Sequence, residues 1–217
     1  SNISSYLHYF FRKKNLLFSD KQKGFDYFID LENFNTINFD KRITHALFLA
    51  GITNIEYCDN YPNVAKVING ENTIKLINLL NKQGIKVLFP SSTCVFSSKS
   101  KIDNYELSPT NPDNVYGKIK ANVEKNILQN NLNTILRVPK IIFPNDKLLQ
   151  KWKNDLLKNI EIYPFYDLRL SPISINTVIE FLYYWYKNTK SGILHLSPTN
   201  DLSYFELALK LCFHLSV

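Results

Sequence analysis

Tyr116 and Lys120 lie four residues apart in a segment, 115–129, whose apolar spacing predicts a helix, so the two side chains share one face. A free phenol ionises near pH 10 and is a poor acid or base at neutral pH. An ammonium within about 4–6 Å favours the phenolate and lowers that value. Such a neighbour would fit Tyr116 for proton transfer. Ser92 follows a short apolar run, 86–89, and offers a small hydroxyl that can hold a carbonyl oxygen against the phenol. Alone, Tyr-x-x-x-Lys is weak evidence: in a chain with 13 tyrosines and many lysines it arises by chance, as an exposed tyrosine beside a solvated lysine.

These groups need elements to bring them together. Short apolar runs alternate with helical segments, the pattern of a parallel α/β sheet. The spacing predicts helices over 3–14, 64–82, 115–129, 148–159, 176–187 and 203–213. It predicts strands over 16–18, 27–29, 45–50, 86–89, 134–138 and 192–196. Turn-forming residues and two prolines mark 104–114 as a loop. A doubly wound sheet binds ligands beyond the carboxyl ends of its strands. Gly51, Ser91-Ser92 and Val138-Pro139 all follow predicted strands, so they are expected along one crevice.

With 217 residues, 45% hydrophobic and 21% charged, the chain suits one full-sized domain, or one domain plus a small lobe. No apolar run approaches the roughly 18 residues a membrane span needs, and residues 6–14 do not read as a signal peptide. The expected location is the cytoplasm, with no membrane partner. Cys58, Cys94 and Cys212 are far apart and read as reduced. His8, His45, His195 and His214 have no partner spacing, so no metal site is expected. The net charge of +7 suits a phosphorylated small molecule better than a nucleic acid. The lysines are scattered, and the one tight basic cluster, Arg12-Lys13-Lys14, ends a predicted helix, where cations complement the dipole. The chain has no methionine and does not begin with one, so it reads as a fragment.

Further markers stand in order around Ser92 and Tyr116. Ser91-Ser92-Thr93-Cys94-Val95-Phe96 is followed by Glu106, Pro109, Pro112, Tyr116-Gly117, Lys120 and Glu124. This run resembles the extended short-chain dehydrogenase/reductases, and most nearly the branch of dTDP-4-dehydrorhamnose reductases. Upstream, residues 49–56 resemble the loop that runs beside the cofactor, and Cys58 to Asn69 the next family segment. Downstream, residues 169–174 resemble the return from the substrate lobe. The likeness covers most of the chain.

That resemblance implies a Rossmann-type doubly wound parallel sheet with a small C-terminal substrate lobe. Residues 1–142, completed by about 171–190, would form the core, its first strand lying before Ser1. Residues 143–170 and 191–217 would form a short lobe. It implies NAD or NADP as cofactor, a nucleotide-linked sugar as substrate and a role in polysaccharide biosynthesis. It also implies a homodimer paired through the helix bearing Tyr116 and its neighbour. Ser92, Tyr116 and Lys120 take the catalytic places. Ser1, Asn2, Ile3, Asp30, Leu31, Leu49, Ala50, Gly51, Asn69 and Pro139 take the cofactor places. Asp20 and Lys21 fall where the adenosine ribose is read; the acid would favour NAD and the base NADP. Thr93 stands where a dehydratase carries an aspartate, so reduction of a 4-keto sugar is preferred over dehydration, with epimerisation as the alternative. The chain departs from the pattern at its start: Ser1 and Ser4 occupy glycine places in the phosphate-binding turn. That departure keeps a second class open, a non-catalytic reductase-like subunit.

Overall fold

The computed structural model describes residues 3, 6–7, 16–22, 25–33, 37–99 and 103–216. Ser1, Asn2, Ser4 and most of the predicted helix 3–14 lie outside them. Ile3 is helical and half-buried, and Leu7 is buried.

The chain divides into two units, Ser1–Val138 with Leu182–His195, and Pro139–Phe181 with Leu196–Val217. The first unit holds a parallel sheet of four strands: β3 (His45–Leu47), β4 (Lys86–Ser92), β5 (Asn133–Val138) and β9 (Gly192–His195), side by side in that order. Val87, Leu88 and Phe89 of β4 are all buried, and so is every residue of β5. Continuous burial, rather than alternation, is what a parallel sheet covered on both faces requires. A separate parallel pair, β1 (Ser19–Asp20) and β2 (Tyr27–Phe28), precedes it.

Among the described residues seven α-helices follow these strands, labelled α1 (Ile55–Asn60), α2 (Pro62–Ala65), α3 (Thr73–Lys82), α4 (Val115–Ile127), α5 (Lys147–Leu156), α6 (Ile175–Lys187) and α7 (Tyr204–Leu215). On α4, Ile119, Val123 and Ile127 are buried at four-residue spacing, a stripe that seats the helix on the sheet. α3 does the same with Leu76, Ile77 and Leu80. The resulting core joins Leu31, Phe48, Ile77, Phe89, Val123 and Ile135.

The predicted helix 64–82 is not one α-helix. Pro62 opens α2, residues Lys66–Asn72 wind as a wider π-helical stretch, and α3 resumes at Thr73. Two buried asparagines in this stretch tie it to other parts of the chain. Asn69 Nδ2 donates to the Ile52 carbonyl at 2.7 Å, and Asn72 Nδ2 to the Leu31 carbonyl at 2.7 Å. Thr73 Oγ1 adds a bond to the carbonyl of Ile68. Insertions of this kind are frequent at functional sites.

The strand predicted at 16–18 pairs instead at Ser19–Asp20, and that predicted at 45–50 pairs only as far as Leu47. Gly192–His195 pairs in parallel with β5. Trp185 of α6 donates to Thr134 Oγ1 at 2.8 Å, which fixes the end of that helix to β5.

The second unit pairs β6 (Ile141–Ile142) with β8 (Ile173–Ser174) in parallel, and β7 (Arg169–Leu170) with β10 (Leu202–Ser203) antiparallel. Asp146 caps α5, and Ser203 with Glu206 forms a reciprocal capping box on α7. Trp152 and Tyr204 meet edge to face within this unit. No helix among the described residues is long and apolar enough to cross a membrane.

Candidate active site

Ser92 is the last residue of β4. Its Oγ accepts the amide of Cys94 at 3.1 Å and so caps the single 3₁₀ turn Thr93–Val95. A hydroxyl that accepts in this way keeps its own proton to donate. Its neighbour Ser91 is buried, and among the described residues its hydroxyl has no partner.

α4 begins one loop later. Asn114 caps it by accepting the Gly117 amide at 2.7 Å, and Asp59 accepts the Val115 amide at 2.9 Å. The helix then closes onto the Ser92 turn at Gly117. A Cβ there would lie 2.1 Å from the Cys94 carbonyl oxygen and 2.9 Å from Pro112 Cβ. Only a residue without a side chain permits this approach, and it sets Tyr116 beside the turn that Ser92 caps.

Tyr116 is half-buried and packs on the cluster of Cys58, Ala65 and Ile119. Lys120 Nζ lies 5.7 Å from the centre of the Tyr116 ring and 4.3 Å from that of Phe89. It donates to the Pro90 carbonyl at 2.8 Å. Burial works against ionisation at both groups. Burial pushes the Tyr116 phenol well above its ordinary range, and the Cys94 and Cys58 thiols push it the same way. Lys120, whose ammonium is bonded to a backbone carbonyl, is itself pulled down to about 8 by burial, against the opposing charge of Glu124. Burial thus favours the neutral phenol at Tyr116.

Upstream, β3 runs into Leu49, Ala50 and Gly51. Leu49 is half-buried, Ala50 and Gly51 are exposed, and Gly51 has φ +136°, in the region that favours glycine. Asn69 clamps the loop that follows. It accepts the Ile52 amide at 2.8 Å and donates to the Ile52 carbonyl at 2.7 Å. A Cβ on Gly51 would come within 2.8 Å of the same Asn69 oxygen. Both polar atoms of Asn69 are thus committed to the loop, so it shapes the strand end. Leu31 sits in the core, held through its carbonyl by Asn72. The Glu32 amide at 2.9 Å, with Asn33 and Lys21 beside it, holds the carboxyl of the half-buried Asp30 below its usual range. An open groove of about 380 Å³ runs along Glu32, Ile52, Thr53, Asn54, Tyr57 and Ile68. Pro139 directly follows β5 and opens the second unit. Ser1 and Asn2 lie outside the described residues.

Sequence reasoning gave no role to Glu124 and Arg137, a buried pair bonded at 2.7 Å. A signal was present: Arg137 is the one charged residue in the apolar strand 134–138, and a buried guanidinium demands a partner. Among the described residues, no three His, Cys, Asp or Glu are grouped to hold a metal ion.

Comparison with solved structures finds the same fold in known proteins. A hypothetical dTDP-4-dehydrorhamnose reductase from Sulfolobus tokodaii superposes with a TM-score of 0.81 at 20% identity, over 99% of this chain and 79% of that one. The dTDP-4-dehydrorhamnose reductase of Bacillus anthracis, solved in complex with NADP, gives 0.73 at 20% identity, over 80% and 62%. The corresponding reductase of Clostridium acetobutylicum gives 0.72 at 19% identity, over 80% and 62%. At these identities the likeness carries the fold, a Rossmann-like α/β sheet, and the chain spans about 62% of the length of the latter two relatives. No curated protein matches the sequence. The family described as the RmlD substrate binding domain matches residues 19–216, nearly the whole chain, and on that match the chain belongs to this family of extended short-chain dehydrogenase/reductases.

Proposed function

We propose that the chain is part of an NAD(P)-dependent oxidoreductase of the cytoplasm that reduces the 4-keto group of a nucleotide-linked sugar. The observation that carries this reading is the closure of α4 onto the Ser92 turn at Gly117, which gathers a hydroxyl, a neutral phenol and a buried ammonium at one strand end. Gly51, whose Cβ position is already crowded by Asn69, and the groove beside it fit the adenosine half of a dinucleotide. A bound nicotinamide dinucleotide would supply the hydride.

The chain's own residues would do the rest. Ser92 donates its hydroxyl proton to the sugar carbonyl oxygen and holds it in place. Tyr116 passes its proton to that oxygen as negative charge develops there. Lys120 stabilises the phenolate left behind, since an ammonium close to the ring favours the ionised form. Glu32, two residues after Asp30, and the loop held by Asn69 border the groove proposed for the adenosine. The positive net charge suits a diphosphate-bearing substrate. A homodimer paired through α4 is the expected assembly.

Titration of the purified protein with NADH and with NADPH, followed by tryptophan fluorescence, tests the reading. Saturable binding of either one is expected. Turnover of a nucleotide-linked 4-keto sugar should then disappear in Tyr116→Phe while cofactor affinity persists. If neither dinucleotide binds at millimolar concentration, the enzyme reading fails. The serines at positions 1 and 4 would then favour a non-catalytic reductase-like subunit.

A further inference from the structure

Tyr116, Lys120 and Glu124 follow one another at four-residue spacing, so they form a single line along α4. Glu124 is buried, and its carboxylate is gripped by Arg137 of β5. Nη2 donates at 2.7 Å and Nε at 3.1 and 3.2 Å. Arg137 is buried too. Its remaining arm donates to the Glu106 carbonyl at 3.1 Å and lies 3.3 Å from His195 Nε2, while its guanidinium stands 4.8 Å from the Phe96 ring. The Glu106 carboxylate in turn accepts the His195 amide at 3.1 Å.

A buried ion pair adds little stability over well-packed apolar side chains, because desolvating both charges offsets their attraction. Its position on the line of Tyr116 and Lys120 suggests a reason for it. The Lys120 ammonium has lost most of its water, and its one hydrogen bond in the described contacts goes to a neutral carbonyl. The charged and titratable groups facing it are Tyr116 and Glu124 on its own helix and Cys58 on α1, with Phe89 and Pro90 of β4 uncharged. Of these, Glu124 alone is a carboxylate. It forms no direct ion pair with Lys120, since Arg137 occupies it, but its field opposes the cost of burial.

We propose that Glu124 is a positioning residue that keeps Lys120 in its ammonium form, and that Arg137, by sharing the carboxylate, sets how strongly it does so. The proposal rests on the roles given above to Tyr116 and Lys120. A purely structural pair would leave Lys120 unmoved when either member changes. An electrostatic pair predicts opposite signs: removing the Glu124 charge disfavours the ammonium, and removing the Arg137 charge favours it.

The test is a direct titration of Lys120 by ¹³C-lysine NMR in the wild-type protein, E124Q, E124D and R137Q, with the resonance assigned from K120M. E124Q should lower the Lys120 midpoint by about one pH unit, a tenfold loss of proton affinity, as expected for an opposite charge at this range. R137Q should raise the midpoint, and E124D, which keeps the charge, should restore most of it. Should E124Q fail to fold, the direction in R137Q decides alone. A midpoint that stays put, or moves the same way in E124Q and R137Q, overturns the proposal. The alkaline limb of the pH–rate profile should follow the NMR midpoints. Opposite NMR shifts in a protein without reductase activity would uphold the electrostatic role and defeat the catalytic reading instead.

Discussion

Lys120 spends its ammonium on the carbonyl of Pro90, 2.8 Å away across the gap between α4 and β4. This places a charge in a site from which water is largely excluded, and burial pulls its pKa to about 8, below the 10.5 of the unfolded chain. Between those two values the unfolded state binds more protons, so this group makes stability rise with pH through that window. Below pH 8 the cost is fully present, of order ~3 kcal/mol. Lys120→Met should therefore gain on the wild-type protein most at pH 7, and that difference should shrink as pH approaches 10.5. Chemical denaturation at pH 7, 8.5 and 10 checks the trend; a pH-independent difference would contradict it. The same variant should lose turnover at every pH.

Tyr116 follows the opposite sign. Burial raises its phenol, so it should be among the last of the 13 tyrosines to ionise. In an ultraviolet titration, Tyr116→Phe should remove absorbance only from the final part of the tyrosinate curve. Loss of an early-ionising group in that variant would mean that Lys120 lowers the phenol after all. The variant deletes one hydroxyl and is expected to leave the melting temperature within about 3 °C of wild type, since a typical hydrogen bond is worth roughly 1 kcal/mol.

Periodicity was enough to read β4, β5, α4 and α6 to within a few residues, because their burial patterns are local properties of the chain. The Ser92 to Tyr116 interval was equally legible, as it depends only on counting. The π-helical stretch was not; its buried asparagines bond to partners 17 and 41 residues away, which no local pattern reveals. Nor was the state of Tyr116. The residues announce a tyrosine near an ammonium, but whether the ammonium or desolvation wins is decided by packing against Phe89, Cys58 and Cys94. Glu124 was legible as a marker and silent as a partner, since Arg137 stands on another element 13 residues on.

Asn69 tests how the groove proposed for the adenosine is built. Its two polar atoms hold both backbone groups of Ile52, and it is buried. Asn69→Leu keeps much of the volume but leaves that amide and carbonyl unpaired, at about 1–3 kcal/mol for each group that stays buried. We expect weaker dinucleotide binding together with a lower melting temperature, and faster amide exchange at residues 51–54 by hydrogen–deuterium mass spectrometry. Exchange confined to α3 would instead show that Asn69 serves the helix and not the loop.

Gly117 offers the most direct test of whether the closure of α4 on the Ser92 turn matters. In Gly117→Ala the new methyl would begin 2.1 Å from the Cys94 carbonyl oxygen, a backbone atom that cannot swing aside. Either the helix start or the Ser92 turn must retreat. Forced shifts of this kind cost about 1–3 kcal/mol, sometimes more. In a chain of this length that corresponds to a melting temperature lower by roughly 2–12 °C. Because the displaced elements carry Ser92 and Tyr116, turnover should fall by more than cofactor affinity does. A small retreat of reacting groups is enough for about a hundredfold loss of rate. Alanine at Gly70 is the control: its Cβ would meet Ile119 at an ordinary 3.5 Å, and the variant should keep its activity. Equal loss of activity in the two variants would show that helix packing in general, rather than the meeting of Gly117 with Cys94, limits the site.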